Sequence, residues 1–307
     1  MGAARLLRGL QVLLEPAALA VVVNTGDDEE FYGLHVSPDI DTVLYTLAGL
    51  APLKRGWGVA GDSFHCLAAL GRYYGPPWFR LGDRDLATHI FRTDALRRGK
   101  SLTQVTRALT RALGIRILVL PMSDDRVRTF VFTDTSGWLP FQRYLVCHAE
   151  EDVRGFRFRG ISRARPTRSV LAALRQADWI LLPPSNPFVS LGPIFALPGI
   201  RTILRRRRER VVAVSPIIGG EPVKGPLHKM LAGLGHEVSA YGVARLLRPV
   251  AKYFVVDRRD AQQAPRIAEL GMVPILADTW MRTPEHSKAL AQAILQVALC
   301  AASLSLR

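Results

Sequence analysis

The segment AVVVNTGDD (residues 20–28) joins a short apolar run to a polar loop that carries two consecutive carboxylates. Runs of the same kind occur at IRILVLP (115–121), WILLP (179–183), RVVAVSP (210–216), KYFVVD (252–257) and VPILAD (273–278). Each run is rich in branched aliphatic residues, as buried parallel strands are. Stretches of helical period lie between them. The sequence therefore predicts an α/β fold with a Rossmann-like, doubly wound and mostly parallel sheet.

The segments between these runs include clear helix signals. In SLTQVTRALTRALG (101–114), Ser101 is a good N-cap and Gly114 a good stop. Residues 167–178 and 283–304 have the same amphipathic period. Two regions break the alternation: residues 42–100 predict an inserted helical cap, and residues 127–146 predict a β-hairpin turning near Thr135–Gly137. We expect one domain over residues 1–307.

The N-terminal stretch MGAARLLRGLQVLLEPAALAVVV has two interpretations. Arg5 and Arg8 precede an apolar run, as in a signal peptide. Glu15 and Pro16 interrupt that run, however, and the leucines before them recur at helical spacing, which favours a surface helix. No apolar run reaches the roughly 18 residues of a membrane span. We expect no membrane association and a cytoplasmic protein.

The chain is strongly basic, with a formal net charge of +15, and arginines at 205–208 form its densest run. Such a run indicates either a polyanionic partner or a solvated helix C-terminus. Aromatic residues are not interleaved with the arginines, which disfavours a single-strand binding platform. A basic surface also attracts small anionic substrates. Cys66, Cys147 and Cys300 are too few and too widely spaced for a disulfide framework or a structural zinc site.

Ligands of a doubly wound sheet bind at the carboxyl ends of its strands. That rule selects NTGDD (24–28), PMSDD (121–125), PPSNPFVSLGP (183–193) and SPIIGGEPVKG (215–225). Asp27 and Asp28 follow the first run directly, and Asp39 and Asp41 come after a short loop. Carboxylates at a strand end can hold Mg²⁺ or act as a general base. Alternatively, Asp39 only caps a helix that begins near Ile40.

Three further segments carry candidate binding residues. LGDRDLATH (81–89) gathers Asp83, Arg84, Asp85 and His89, either as an ion pair with a cap or as an arginine held toward an anion. The loops at 184–193 and 215–226 are rich in glycine, proline and serine, so each is either a plain turn or a phosphate-binding loop. The motifs GxGxxG and GxxxxGK[ST] are absent, so nothing here supports a nicotinamide dehydrogenase or a P-loop NTPase.

Together, five of these segments resemble one family. VVVNTGDDEEFYGLHVSPDIDTVLYTLAGL, LGDRDLATHI, LPMSDDRVRTF, PPSNPFVSLGPI and VSPIIGGEPVKGP are similar, in family order, to the 2-phospho-L-lactate transferases of coenzyme F-420 biosynthesis. The likeness extends from about residue 2 to residue 281 and includes motifs longer than a generic fingerprint.

The resemblance implies a specific reaction. A phospholactyl-type or phosphoenolpyruvyl group passes from a guanosine-diphosphate-activated donor to the terminal ribityl hydroxyl of the deazaflavin Fo, and GMP is released. It also implies Mg²⁺ as cofactor, a homodimer, and a Rossmann-like core with a cap. Nucleic acid is not an expected partner.

The resemblance also suggests residue roles. Asp27, Asp28 and Asp39 would hold Mg²⁺, and Asp41 and Arg84 would be catalytic, with Asp41 orienting or deprotonating the Fo hydroxyl. The expected substrate-binding residues are Gly2, Arg5, Asn24, Asp41, Arg80, Arg84, His89, Ser185, Asn186, Ser190, Gly219, Gly220 and Lys224.

The start of the chain departs from the family. Its members open with a strand and a glycine-rich loop of the type GGxGxA(K/R), whereas this sequence begins MGAAR. We therefore expect the first strand of the fold to be missing. Two other hypotheses stay open: a nucleotide- or phosphate-binding regulatory protein of the same fold without transferase activity, and a nucleic-acid binder suggested by charge alone.

Overall fold

The computed structural model of the chain describes residues 2–53, 56–223 and 225–304. Its strands are β1 (Ala20–Val23), β2 (Glu29–Phe31), β3 (Leu34–Val36), β4 (Leu118–Pro121), β5 (Arg128–Thr133), β6 (Gly137–Pro140), β7 (Val153–Arg159), β8 (Ile180–Leu182), β9 (Val211–Val214), β10 (Ile217–Ile218), β11 (Glu221–Pro222), β12 (Tyr253–Asp257) and β13 (Val273–Ala277). Its α-helices are α1 (Gly2–Leu13), α2 (Pro38–Leu47), α3 (His65–Tyr74), α4 (Asp83–Arg97), α5 (Leu102–Ala112), α6 (Phe141–Cys147), α7 (Arg168–Gln176), α8 (Gly192–Ala196), α9 (Ile200–Arg206), α10 (Leu227–Gly233), α11 (Ala240–Leu247), α12 (Ala264–Glu269) and α13 (Pro284–Leu304).

All six apolar runs of the sequence form parallel strands. Four of them make one sheet in the order β13-β12-β9-β8, and β1 pairs in parallel with β4 in a second, two-stranded sheet. Among the described residues, no strand pairs with the second edge of β1 or of β8, so the two sheets stay separate. The prediction of an α/β fold with a mostly parallel sheet is confirmed.

The region predicted as a hairpin forms a larger antiparallel unit. β5 pairs with β6 across the turn at Thr133–Gly137 and with β7 on its other side. The hairpin ends earlier than predicted because the chain after Pro140 forms α6 instead of continuing the strand. Proline has no N–H for a strand ladder but fits the start of a helix. The sequence analysis did not predict β7.

The predicted helix signals match the local geometry. Ser101 caps α5 in a capping box with Gln104, and Thr167 caps α7 by accepting from the N–H of Val170. Gly114, after α5, has φ of +67°, the left-handed conformation that favours glycine. In the described part of the chain, every helix is too short or too polar to cross a bilayer.

Helix α1 joins two hydrophobic cores. Leu6 and Leu10 pack into the core around β9, β12 and α13, whereas Leu7 packs with Val23 and Ile40 beside the smaller sheet. All three leucines are buried. The helix therefore connects the two parallel sheets from one side.

Two of the four arginines at 205–208, Arg207 and Arg208, make hydrogen bonds within the fold. The guanidinium of Arg207 donates to the carbonyls of Leu174 and Ala177 at the end of α7. Arg208 donates to the carbonyls of Arg248, after α11, and Gly271, after α12. Because the last carbonyls of a helix lack partners within it, these arginines stabilise three helix ends.

Candidate functional site

A cavity of about 660 Å³ is lined by residues that follow β1, β8, β9 and β13 and by residues of the segment 57–89. Ten of the predicted site residues line it: Gly2, Arg5, Asp27, Asp39, Asp41, Arg80, His89, Ser185, Asn186 and Ser190. Asn24, Asp28, Arg84, Gly219 and Gly220 are not part of its lining. Lys224 lies outside the described residues.

Asn24 joins three segments around the cavity although it does not line the cavity itself. Its Nδ2 donates to Oδ2 of Asp39 over 3.1 Å and to the carbonyl of Val189 over 3.4 Å. Its Oδ1 accepts from the backbone N–H of Gly26 over 2.8 Å. This buried amide therefore sets the distance between the acidic loop, the start of α2 and the loop after β8.

Asp27 is a buried carboxylate with unmet bonding capacity. It is 6% exposed, and among the described residues its Oδ1 has no hydrogen-bond partner. Burial, together with repulsion from Asp39, raises the pKa of Asp27 well above its ordinary value. Burial likewise raises the pKa of Asp39. Both groups would be stabilised by a cation between them.

Asp28, the next residue, has structural partners on one oxygen, while its Oδ1, like that of Asp27, has no hydrogen-bond partner among the described residues. Its Oδ2 accepts from Oγ of Ser37 over 2.9 Å and lies 2.8 Å from Nε2 of His35. The carboxylate is 2% exposed. It therefore holds the β2–β3 turn against the start of α2, and its role as a metal ligand stays a prediction.

Asp41 forms a buried ion pair with Arg92 on α4. The guanidinium contacts both carboxylate oxygens, and its Nη1 lies 3.1 Å from Oδ2. Arg92 is fully buried and Asp41 is 4% exposed, yet Asp41 lines the cavity. Burial raises the pKa of Asp41 although Arg92 and His89 oppose that shift. The carboxylate is thus held in place and keeps an affinity for a proton.

His89 connects Asp41 to a second carboxylate, Asp85. Its Nδ1 lies 3.2 Å from Nη1 of Arg92, and its Nε2 lies 3.3 Å from Oδ1 of Asp85. An arginine can only donate, so Nδ1 is assigned as the acceptor toward Arg92, while Nε2 makes no hydrogen bond among the described residues. Tyr45 donates to the same Asp85 oxygen over 2.7 Å. Although burial opposes it, contact with His89 and Tyr45 lowers the pKa of Asp85.

Asp41, Asp85 and His89 also satisfy a simple distance test for a metal site. One potential ligand atom from each lies within 4.8 Å of the others. The guanidinium of Arg92 already neutralises Asp41, however, and would repel a cation placed there. Asp27 and Asp39 have no such cationic neighbour among the described ion pairs, which makes them the better fit for Mg²⁺.

The two predicted arginines differ in position. Arg80 lines the cavity, and its guanidinium lies 4.4 Å from the ring centre of Phe64. Arg84 is exposed and donates from Nη2 to the carbonyl of Gly61 over 3.0 Å. Of these two arginines, Arg80 is therefore the one that can contact a substrate in the cavity in this conformation.

The two turn-rich loops use their backbone donors internally. Oδ1 of Asn186 accepts from the N–H groups of Phe188 and Val189. Gly219 and Gly220 each donate over 2.8 Å to the fully buried carboxylate of Asp260. These N–H groups are thus already paired within the protein, so a ligand would contact the side chains of the two loops instead.

The lining of the cavity combines two kinds of chemistry. Near Gly2, the N-terminus of α1 meets the loop after β8, and Arg5 donates to the carbonyl of Met281 over 3.0 Å. The lining also includes the polar side chains Thr42, Ser185, Ser190, Ser215 and Thr279. Another part of the lining, from residues 57–79 and from α6, is aromatic and apolar: Trp57, Trp78, Phe79, Phe141 and Leu145.

Comparison with known proteins assigns the chain to a family. The profile of the 2-phospho-L-lactate transferase family (CofD) matches residues 1–295. The chain belongs to this family. A 2-phospho-L-lactate transferase from Methanosarcina mazei is 42% identical to it over 296 residues, which cover 96% of this chain and 97% of the relative. A phosphoenolpyruvate transferase from Kitasatospora aureofaciens is 43% identical over 299 residues, covering 94% and 93%.

A solved structure gives the same fold. A protein of the UPF0052 family from Bacillus halodurans aligns with a TM-score of 0.65 and 16% identity, over 96% of both chains. At that identity the likeness concerns the fold alone. The family match identifies the chain as a transferase.

The sequence analysis did not identify Tyr45, Arg92 and Asp260 as residues that organise the site. Asp85, His89 and Arg92 follow one another at helical spacings of four and three, and Tyr45 follows Asp41 by four. Residues so spaced share a helix face. The spacing alone could therefore have predicted that Arg92 and Tyr45 lie beside the candidate site residues. No sequence pattern connects Asp260 to Gly219, forty-one residues earlier.

Proposed function

We propose that the transferase moves a phospholactyl-type or phosphoenolpyruvyl group from a guanosine-diphosphate-activated donor to the ribityl hydroxyl of the deazaflavin Fo, releasing GMP. The family match and the names of the relatives from Methanosarcina mazei and Kitasatospora aureofaciens support the transferred group. The donor, the acceptor and the place of the reaction in coenzyme F-420 biosynthesis rest on the resemblance of the motifs.

The mixed lining of the cavity, with both charged and aromatic residues, is the observation that carries the proposal. An anionic nucleotide donor matches the polar part of the lining at Gly2 and Arg5. A flat, apolar ring such as that of a deazaflavin matches the aromatic wall at Trp57 and Trp78. The acidic residues Asp27, Asp39 and Asp41 line the same cavity, and we propose that the acceptor hydroxyl meets the donor phosphorus beside them.

Asp27 and Asp39 are the residues that would hold Mg²⁺. Asp28, the third predicted ligand, lies outside the cavity lining. The buried, unpartnered Oδ1 of Asp27 and the raised pKa of both side chains support this assignment. When bound, the cation would neutralise charge on the donor phosphates.

Asp41 is the proposed proton acceptor for the Fo hydroxyl, and Arg92 fixes its orientation. Asp41→Asn would retain the shape of the side chain but lose its affinity for a proton. We expect turnover at saturating Mg²⁺ to fall by about a hundredfold or more. A near-normal rate in Asp41→Asn would remove Asp41 from this role.

Mass spectrometry of the product tests the reaction as a whole. The protein is incubated with Fo, Mg²⁺ and each guanylylated donor in turn: phospholactate, phosphoenolpyruvate and phosphoglycerate. The proposal requires one phosphodiester product of Fo together with GMP. Binding of Fo and GDP without any product would instead support the hypothesis of a regulatory binding protein.

The remaining parts of the proposal concern partners and location. We propose that the transferase acts in the cytoplasm as a homodimer and that nucleic acid and membranes are not its partners. Duplex DNA binding with a steep salt dependence, and no Fo binding, would contradict this.

A further inference from the structure

A second cavity, of about 410 Å³, shares part of its lining with the main one, since Trp78 and Phe79 line both. We call these two residues the shared wall. Five of the eleven residues that line the second cavity are aromatic: Phe31, Tyr32, Tyr74, Trp78 and Phe79. Apart from the shared wall, its lining contains none of the residues assigned above to substrate or Mg²⁺. The second cavity therefore needs an explanation of its own.

The aromatic rings of this lining pack in two groups. Phe31 stacks on Phe79 with ring centres 4.1 Å apart, and the ring centre of Trp78 lies 5.2 Å from that of Phe31. Tyr32, in the turn between β2 and β3, contacts Tyr74 at the end of α3 with ring centres 5.1 Å apart. The face of each ring carries negative charge density, which attracts a cation.

The turn that carries Tyr32 has a costly backbone. Tyr32 and Gly33 join β2 to β3 with φ of +52° and +73°, and of the described non-glycine residues Tyr32 alone has a positive φ. Turns of this kind favour asparagine or glycine, and a tyrosine in the left-handed region is strained. The turn thus places an aromatic ring on the cavity at a position where a glycine would suit the backbone better.

Two glutamates on β2 add negative charge to this lining. Glu29 and Glu30 both line the second cavity, and neither forms an ion pair in the part of the chain that the structure describes. Arg143 is the one cationic residue among the described lining residues, and Arg128 attracts both glutamates from outside the lining. The guanidinium of Arg143 lies 4.8 Å from the ring centre of Trp78, so the shared wall already accepts one cation.

We infer that the second cavity binds a small organic cation, namely an ammonium group on an apolar body. The ammonium group lies against the rings of Tyr32 and Tyr74, and the carboxylates of Glu29 and Glu30 attract it. The apolar body packs on the shared wall. This assignment gives a role to the two glutamates of the acidic segment that the transferase reaction does not use.

Other small ligands fit this lining less well. An anion would meet two carboxylates that no ion pair neutralises. A metal ion would need more oxygen ligands, and within the described residues no third carboxylate, histidine or cysteine joins Glu29 and Glu30 in a group that could hold one. An uncharged apolar molecule would leave both carboxylates unused.

The shared wall connects this site to the main cavity. A cation in the second cavity would contact the same two aromatic residues that face a substrate in the main one. The inference itself stands on the second cavity alone and does not depend on which substrates the main cavity binds.

Titration calorimetry of the full chain with choline tests the recognition of a cation. The matched ligand is 3,3-dimethyl-1-butanol, which has the shape of choline but carries a neutral carbon in place of its nitrogen. We expect choline to bind with a Kd of about 1 mM or below and the neutral alcohol to bind at least about tenfold more weakly. Absence of choline binding at about 20 mM, or equal binding of the two ligands, would overturn the inference.

Three variants test the location of the bound cation. Tyr32→Gly removes the ring and suits the positive φ, so the fold should be retained while choline affinity falls at least about fivefold. Glu30→Gln should weaken choline binding by about threefold because it removes one attracting charge. Tyr73→Ala is the matched control, since Tyr73 is 81% exposed beside Tyr74 but outside the lining, and it should bind choline as the wild type does.

The comparison of these variants separates the second cavity from other binding places. If Tyr32→Gly binds choline as tightly as the wild type, the choline is bound elsewhere and the inference is wrong. The same conclusion follows if Tyr73→Ala loses as much affinity as Tyr32→Gly.

Discussion

Asp27 shows how much two neighbouring residues of the same type can differ. Its carboxylate is buried beside Asp39 without an ion pair among the described residues, whereas Oδ2 of Asp28 is held by Ser37 and His35, although Oδ1 of both residues has no partner there. A buried ionised carboxylate without a partner lowers the stability of the fold. The acidic loop therefore combines one residue that stabilises the metal-free protein with one that destabilises it.

Asp27→Asn should raise the free energy of unfolding of the metal-free protein by about 1 kcal/mol near neutral pH, because it removes a buried charge and its repulsion with Asp39. The same substitution removes a proposed Mg²⁺ ligand. We expect Mg²⁺ to raise the melting temperature of the wild type by about 2–8 °C and to leave that of Asp27→Asn nearly unchanged. Calorimetry with and without Mg²⁺ measures both effects.

The difference in the free energy of unfolding between the wild type and Asp27→Asn should depend on pH in one direction. The pKa of Asp27 is raised above its ordinary value of 3.8, so the folded state binds the proton more tightly than the unfolded state. This contribution to stability is present below about pH 4 and is lost as the pH rises through the folded-state pKa. The stability of the wild type relative to Asp27→Asn should therefore fall with rising pH.

Asp28→Asn is the matched control. It weakens the contacts with Ser37 and His35, so we expect a loss of about 1–2 kcal/mol instead of a gain. A stabilised Asp28→Asn or a destabilised Asp27→Asn would contradict the different environments assigned to these two residues.

At the residue scale, the sequence predicted where the acidic cluster lies but not what each carboxylate contacts. Asp27 and Asp28 are equivalent in the sequence pattern. They differ in the folded chain because the turn after β1 directs Asp27 to the cavity and Asp28 to Ser37 at the start of α2. In the same way, Arg80 and Arg84 were both predicted as site residues, yet only Arg80 of these two lines the cavity. The direction of a side chain depends on the backbone around it, which composition and spacing do not specify.

At the element scale, most strands and caps could be predicted because their signals are local. The six apolar runs became strands within a few residues of their predicted bounds, and Ser101 and Gly114 bound α5 as expected. β7 was missed because its sequence, VRGFRFR, alternates arginine with apolar residues and owes its strand form to pairing with β5. Pairing partners distant in sequence leave no local signal.

Arg207→Ala should lower the free energy of unfolding by about 2 kcal/mol. The guanidinium is the donor for carbonyls at the end of α7, and its loss leaves those groups without that partner. Arg206→Ala, one residue earlier, is the control. Its side chain is exposed at the end of α9, so we expect a change below about 0.5 kcal/mol.

Urea denaturation of both variants compares the two arginines directly. Equal effects at Arg206 and Arg207 would mean that the run acts only through its total charge. A large effect confined to Arg207 would mean that the fold itself uses part of the basic run.

At the scale of the whole molecule, the connection between the two parallel sheets could not be predicted from the pattern of any one element. The leucines of α1 predicted an amphipathic helix with one apolar face, but Leu6 and Leu7 enter different cores. The helix also carries Gly2 and Arg5 to the cavity, so the packing of the two sheets and the polar part of the lining share one element.

The charge distribution of the whole chain leads to a last prediction. A net charge of +15 surrounds a cavity in which carboxylates are gathered at one place, so an anionic donor is attracted over a long range before it meets the acidic residues. Salt screens that attraction because the Debye length shortens to about 10 Å at 0.1 M. We expect kcat/KM for the donor to fall at least about threefold between roughly 20 and 300 mM salt at fixed Mg²⁺, while kcat changes little.

The neutral acceptor and the arginine run supply the controls for this measurement. KM for the uncharged deazaflavin should depend much less on salt than KM for the donor. Arg205→Gln combined with Arg206→Gln removes two exposed charges outside the cavity lining and should make the salt dependence of kcat/KM shallower without altering kcat. If kcat/KM for the donor does not fall with salt, the basic surface contributes nothing to donor capture. The excess of arginine would then be explained by structural contacts such as those of Arg207 and Arg208.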